Sequence, residues 1–306
     1  MSKLVARFGV PALTVLALAG CGSSSSTSSS SSSSTTSTPT AVVIAVNPTI
    51  AGQVPAALKS KATLNVATEA QYAPNEFIAP DGHTVIGMDP DLVTALATVM
   101  GLKANFINAN FETIIPGIAS GRYDMGASSF TDTKERQKTV DFVDYYKAGI
   151  SFYAKTSSNP GVTKVADLCG KTVAVEKGTV ELEEATKQSK TCTKEGKKAV
   201  TVLSFPGQNP VSLAVSSGRA ELGMADSPVV AYQIKVNGQT FKLIGESYGF
   251  APYGLALPKN SPLAAPMLAA LKSLMASGEY TKILTKWGIQ SGAITEAEAK
   301  INGATS

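Results

Sequence analysis

Gly245-Glu246-Ser247-Tyr248-Gly249 has the Gly-x-Ser-x-Gly pattern of a nucleophile elbow, where a serine is presented on a sharp strand-to-helix turn. That chemistry needs a helix directly behind the serine and a histidine further along the chain. Here Phe250-Ala251-Pro252 follows instead, and the single histidine, His83, lies far upstream. There is no Ser-x-x-Lys, and Gly170-Lys171-Thr172 lacks the upstream glycine of a phosphate-cradling loop. One histidine and no Cys-x-x-Cys leave a metal without a donor set. The residues point away from catalysis, and no catalytic residue, metal or cofactor is expected.

The cysteines carry a different chemistry. Leu18-Ala19-Gly20-Cys21 ends a 13-residue apolar run that follows a short basic start with Lys3 and Arg7. Such a run is too short to stay as a membrane-spanning helix and reads as an export signal, residues 1–20. Small residues directly before a cysteine resemble the lipobox of bacterial lipoproteins, in which the signal is cleaved before the cysteine and the thiol is acylated. At about 0.8 kcal/mol per buried CH₂, two or more acyl chains hold a protein on a membrane where one does not. Cys169 and Cys192 are then an even pair in an oxidising compartment. A disulfide between them is expected, two buried free thiols being the other reading.

The chain that must position these groups is made of two materials. Between Arg7 and Lys59 there is no Asp, Glu, Lys or Arg, and residues 22–40 are almost all Ser and Thr. Such a tract cannot bury enough apolar area to offset its ordering entropy. Residues 21–58 therefore read as a disordered tether of about 37 residues, with a reach of roughly 30 to 35 Å as a flexible coil. The 306-residue chain, 43% hydrophobic and 16% charged, is otherwise long enough for a sizeable core. Its formal charge of +4 comes with no basic cluster beyond Lys197-Lys198 after the N-terminal segment, so nucleic acid is not an expected partner.

From residue 59 the pattern is that of an α/β domain. Strands fit at 63–67, 123–127, 150–154, 172–175, 200–204, 221–225 and 241–244. A helix begins at Asp89-Pro90, with the Asp as N-cap and the Pro in the first turn, and stops at Gly101. The stretch 262–287 is mostly helical with a break at Gly278. One repeat bears on architecture: Ile118-Ala119-Ser120-Gly121-Arg122-Tyr123-Asp124-Met125-Gly126 returns 97 residues later as Val215-Ser216-Ser217-Gly218-Arg219-Ala220-Glu221-Leu222-Gly223. Each copy has a helix end, a Gly stop and a strand opening on or next to an acid. Two similar lobes follow, with Ser129 opposite Asp226, each just past the carboxyl end of a strand, where open α/β sheets place ligands.

The runs Thr68-Glu69-Ala70-Gln71-Tyr72-Ala73-Pro74, Gly87-Met88-Asp89-Pro90-Asp91-Leu92 and Ser128-Ser129-Phe130-Thr131-Asp132-Thr133-Lys134-Glu135-Arg136-Gln137 resemble the extracellular solute-binding proteins of family 3. These are the amino-acid receptors of ABC importers, and the resemblance covers about residues 60–290. It implies two Rossmann-like lobes joined by two crossovers, the type II periplasmic-binding-protein arrangement. Lobe 1 takes residues 59–148 and 253–306, lobe 2 takes 149–252, and the crossovers fall near 149–152 and 249–254. It also implies a monomer that hands an amino acid to a membrane permease with a separate ATPase, touches the membrane through its lipid alone, and does no chemistry on the ligand. The fold is shared with cyclohexadienyl dehydratase, whose acid would be Glu69 or Glu176, and with receptors that signal to a membrane sensor.

A zwitterionic ligand sets its own demands. Its carboxylate suits a planar double donor such as Arg136, and its ammonium an ionised acceptor such as Asp226. The resemblance gives Ser128, Ser129 and Thr131 the remaining lobe 1 contacts, and Gly178, Thr179 and Val180 a loop whose amides meet the carboxylate. Val180 stands where many relatives carry a hydroxyl residue, so its contact is a backbone one. Tyr72 and Phe111 match positions that sandwich the ligand, and Glu69 the acid that faces the side chain in receptors for basic amino acids. Each has a plainer reading: Arg136 as part of a solvated helix face, Phe111 as core, Asp226 as a helix N-cap, Glu69 as a surface acid.

Replacing Cys21 with serine removes the acylation site. On fractionation, Cys21→Ser is expected to leave the membrane for the soluble exported fraction; retention in the membrane would mean that something other than a lipid on Cys21 holds the protein.

Overall fold

The structure is a computed structural model that describes residues 44–304. The expected signal segment, Cys21 and the Ser/Thr-rich part of the tether lie outside the described residues. Helix α1 (Pro48–Gln53) starts on Asn47, whose side chain accepts hydrogen bonds from the Thr49 and Ile50 amides. Helix α2 (Ala56–Lys61) follows. Ile50 and Val54 are buried in the main core, with Ile44 and Leu58 packed against it. The expectation of a tether as far as residue 58 is thereby corrected. An uncharged, weakly apolar stretch reads as linker, yet its apolar side chains find a hydrophobic surface to bury against.

Strand β1 (Thr63–Thr68) leads into a small antiparallel sheet of β2 (Gln71–Tyr72), β3 (Glu76–Ile78) and β4 (Val85–Ile86), which was not foreseen. Helix α3 (Met88–Val99) then begins one residue before Asp89, on Gly87. Asp89 is therefore not the N-cap: its carboxylate turns inward, accepting from the Ser129 amide at 3.0 Å and from the Tyr145 hydroxyl at 2.6 Å. The chain continues through β5 (Lys103–Asn108), α4 (Phe111–Ala119), β6 (Met125–Gly126) and β7 (Val140–Lys155). Next come β8 (Thr172–Glu176), α5 (Val180–Lys194), β9 (Thr201–Phe205) and α6 (Gln208–Ser216). The last elements are β10 (Leu222–Asp226), α7 (Ser227–Asn237), β11 (Phe241–Pro258), α8 (Ala264–Ala276) and α9 (Glu279–Trp287), the last two separated at Gly278.

Eight strands form one sheet in the order β5-β1-β6-β11-β7-β10-β8-β9. The groups β5-β1-β6 and β10-β8-β9 are each parallel. Between them β7 and β11 run antiparallel to one another, from Phe241 opposite Lys155 to Pro258 opposite Val140, so both strands belong to both halves. The strands expected at 150–154 and 241–244 are short pieces of these long ones. In the first half α3, α8 and α9 bury one face of the sheet and α4 the other. In the second, α5 covers one face and α6 and α7 the other. Residues covered on both faces read as near-continuous apolar runs, as in Val173-Ala174-Val175.

The repeat has a structural counterpart. Gly121 and Gly218, at φ +76° and +78°, turn the chain out of α4 and α6 in the left-handed conformation that favours glycine, and each leads to the innermost parallel strand of its half. Among the described residues no helix is long and apolar enough to cross a membrane. Cys169 and Cys192 are bonded, their Cα atoms 5.5 Å apart, tying the turn before β8 to α5.

Removing this crosslink, which closes a loop with a sequence separation of 23, should cost about 3 kcal/mol on the chain-entropy argument. Cys169→Ala/Cys192→Ala is expected to melt roughly 6 to 12 °C lower than the parent, given about 2 to 4 °C per kcal/mol for a domain of this size; an unchanged melting temperature would show that the bond adds nothing to the fold.

Candidate functional site

The carboxyl ends of β1, β8 and β10, with the chain that follows β6, surround a small cleft between the two halves of the sheet. It lies where open α/β sheets place ligands. Ten of the eleven ligand contacts expected from sequence line it: Glu69, Tyr72, Phe111, Ser128, Ser129, Thr131, Arg136, Thr179, Val180 and Asp226. The remaining one, Gly178, gives its carbonyl to Arg136 Nη2 at 2.9 Å instead. Its φ is +78°, and a Cβ there would stand 3.0 Å from the Cα of Glu112, so only glycine lets the two halves approach at this point.

Arg136 opens a short 3₁₀ turn before β7 and is half-buried. Its Nη1 donates to the Thr131 carbonyl at 2.8 Å, so the guanidinium spans the cleft from Thr131 to Gly178. The guanidinium carbon lies 5.5 Å from the Phe111 ring centroid and 5.8 Å from that of Phe130, and these two rings stack at 4.6 Å. The side chain is held by cation–π contact and two carbonyls, with further N–H groups left over to meet an anion.

Asp226 ends β10 directly before α7. By position it is the N-cap of α7, but its side chain makes no capping bond. Its carboxylate instead accepts from the Tyr72 hydroxyl at 2.9 Å, and its own amide donates to the same oxygen at 3.0 Å, a second link across the cleft. Burial pushes the Asp226 carboxyl up to about 6, with the Tyr72 bond acting the other way.

Ser128 and Ser129 spend their hydroxyls on one buried acid. Ser128 Oγ donates to Glu76 Oε1 at 3.3 Å and Ser129 Oγ to Glu76 Oε2 at 3.1 Å, while the Glu69 amide donates to Ser128 Oγ at 2.9 Å. Ser129 also holds a φ of +50°, a strained conformation of the kind that clusters at functional sites. Glu69, 2% exposed, follows β1; burial raises its carboxyl to about 7, opposed by bonds from Gln71. On the other side, Thr179 caps α5 by accepting from the Leu182 amide at 3.2 Å, and Val180 is the first residue of that helix.

Three lining acids escaped the sequence reading as ligand contacts: Glu76, Glu176 and Glu181. All are at least 97% buried, and burial is the main reason each carboxyl lies well above its usual range. Glu176 Oε1 and Glu181 Oε1 have no hydrogen-bond partner. Two signals were available: a strand ending in an acid just before the Gly-Thr turn, and an acid in the first turn of the helix that follows. With Glu69 and Asp226 they set five carboxyls against the single cation Arg136 among the lining residues. A lining so biased offers more to a cation than to an anion.

The description "bacterial extracellular solute-binding proteins, family 3" belongs to a family model that matches residues 64–290. An arginine-binding protein of Corynebacterium glutamicum is 36% identical over 251 residues, 82% of each chain. An arginine-binding extracellular protein of Bacillus subtilis is 28% identical over 235 residues, 74% of this chain and 86% of that one. Among solved structures, an ancestral arginine-binding protein bound to arginine matches with a TM-score of 0.68 at 33% identity, covering 74% of this chain and 98% of that one. An ancestral amino acid-binding protein described as a precursor of cyclohexadienyl dehydratase matches with a TM-score of 0.66 at 31% identity, covering 76% and 97%.

The raised carboxyls make a statement about stability. A carboxyl whose folded-state pKa lies above its unfolded value binds its proton more tightly when folded. For Glu69 the resulting stabilisation is full below the usual 4.5 and is lost as pH rises through about 7; Asp226 and Asp89 act alike between 3.8 and about 6. The melting temperature of the protein without ligand is therefore expected to fall between pH 5 and pH 8, with a shallower fall in Glu69→Gln. A melting temperature that rises over this window, or an identical slope in the variant, would contradict the burial of an acid without a counter-charge there.

Proposed function

The chain belongs to the bacterial extracellular solute-binding proteins, family 3, and on that premise we propose that it is an exported receptor that closes on a basic amino acid and delivers it to an ABC importer. The observation that carries this reading is the lining of the cleft, five carboxyls around one arginine; burial holds these carboxyls above their usual range, and a ligand cation among them favours their ionised form. An α-carboxylate takes up the spare N–H groups of Arg136, and an α-ammonium takes Asp226. The excess acids then favour a ligand with a second positive charge: arginine, lysine or ornithine. Tyr72 and Phe111 flank the alkyl stem, Glu69 faces its end, Ser128, Ser129, Thr131, Thr179 and Val180 complete the walls, and Gly178 acts through Arg136, which its carbonyl holds.

The names of the relatives support the ligand class, since each of those above is a binding protein for an amino acid and the two curated ones bind arginine. On this reading the protein is not an enzyme. The same acids disfavour a dicarboxylate such as prephenate, the substrate of the dehydratase alternative, whose ancestral precursor is itself described as an amino acid-binding protein. We assign residues 59–148 and 253–306 to lobe 1, extended back to residue 44 by α1 and α2, and 149–252 to lobe 2. A lipid on Cys21 would keep the monomeric receptor at the outer face of the cell membrane, or on the periplasmic side of a membrane, near a permease with its own ATPase.

Calorimetry and thermal-shift measurements on the full-length protein are expected to find arginine and lysine binding at micromolar concentrations or below. Aspartate, glutamate and prephenate should bind far more weakly. Arg136→Ala or Asp226→Ala leaves an ion of the ligand unpaired in a buried site, which costs several kcal/mol out of roughly 8 kcal/mol at micromolar affinity, so neither should bind measurably. Preference for an acidic ligand, or near-normal binding by either variant, would refute this reading.

A further inference from the structure

Glu176 closes β8 at the cleft, 3% exposed, and its Oε1 makes no hydrogen bond. The donors around it are engaged elsewhere. Thr179 Oγ1 donates to the Glu176 carbonyl at 2.8 Å, the Lys177 ammonium lies 3.9 Å from Glu112, and Arg136 is held by the carbonyls of Thr131 and Gly178. Burial, then the charges of Glu69, Glu181, Asp226 and Glu112, raise its carboxyl. A buried acid in this condition lacks a positive partner.

The two ends of the cleft also differ. The charge of Arg136 acts on Asp226 and Glu181, whereas the strongest charge felt by Glu176 is that of Glu69, from the other half of the sheet. A zwitterion with its carboxylate on Arg136 and its ammonium at Asp226 is left with its side chain toward Glu69 and Glu176.

We propose that Glu69 and Glu176, one from each half of the sheet, form a carboxylate clamp on the positive side chain of the ligand, and that Glu176 is a specificity-determining residue that makes the cleft select a cation over a neutral isostere. This rests on the basic amino-acid reading above. Both acids line the cleft and come from opposite halves of the sheet, so a cation among them supplies the counter-charge that each lacks and favours its ionised form, and a neutral side chain of the same shape leaves both without one.

The test compares arginine with citrulline, which has the same length and shape but no charge, by calorimetry on the full-length parent, Glu176→Gln and Glu176→Met. The parent is expected to prefer arginine by roughly a hundredfold or more, and each variant to lose roughly tenfold or more of its arginine affinity while citrulline binds as well as before or better. Retained citrulline binding reports that the cleft is folded in the variant. An unchanged arginine-to-citrulline ratio in both variants overturns the clamp while leaving the receptor reading intact. Parallel loss of both ligands marks Glu176 as structural and also overturns it. A parent that binds no arginine refutes the receptor reading itself, and the clamp with it.

Discussion

The antiparallel pairing of β7 with β11 is the constraint on which the rest of the fold depends. Both strands run through both halves, 16 and 18 residues long, so each half completes its sheet with a segment that the other half also uses. The register slips between Ile244 and Tyr248, between Tyr248 and Ala251, and between Tyr253 and Gly254. Irregular pairing interrupts the ladder and bends the strand, and segments of this kind absorb the dihedral changes of a hinge. Cleft and sheet continuity therefore follow from one pair of strands. Glu69, Glu176 and Asp226 come from the ends of the parallel strands on either side, which the pair joins into one sheet.

Against that scaffold the cleft gathers groups that the fold alone would reject. Buried carboxyls without partners lower stability, and proteins tolerate such arrangements where function uses them. Tyr72 satisfies Asp226 and two serines satisfy Glu76, but Glu176 and Glu181 each keep an oxygen unpaired. A ligand that supplies the missing charge binds the folded state alone and stabilises it by mass action. The strain of the unliganded cleft and the affinity of the liganded one are two sides of the same electrostatic imbalance.

Much of this was legible in the sequence, and unevenly so. Arg136 and Asp226, both of which line the cleft, stood out because Arg136 sits in a run of distinctive spacing and Asp226 falls opposite Ser129 when the repeat is continued; Gly121 and Gly218 stood out because a turn out of a helix favours a left-handed residue. The long strands β7 and β11 were read only as fragments. Charged and glycine residues such as Lys147, Gly149 and Gly249 interrupt their apolar pattern, and the pairing between distant segments overrides that local signal. β5 was missed because its residues are half exposed, and Glu181 because Glu181-Leu182-Glu183-Glu184 looks like a solvated helix face. The start of the ordered chain was missed for the opposite reason. Residues 44–58 have no strong pattern of their own and are held by a core assembled mostly from elsewhere.

That last contact gives the molecule a mechanical polarity. The Asn47 amide donates to the Val99 carbonyl at 2.9 Å, and Ile50 and Val54 are sunk into the same core as α3 and α8. A force applied at residue 44 is passed into the first half and reaches the second through β7 and β11 and through the bonds across the cleft, of Arg136 with Gly178 and of Tyr72 with Asp226. The first half therefore holds the ordered N-terminal segment directly, and the second is tied to that segment at second hand. Breaking the two bonds across the cleft would leave the paired strands as the covalent route from residue 44 to the far face of the second half.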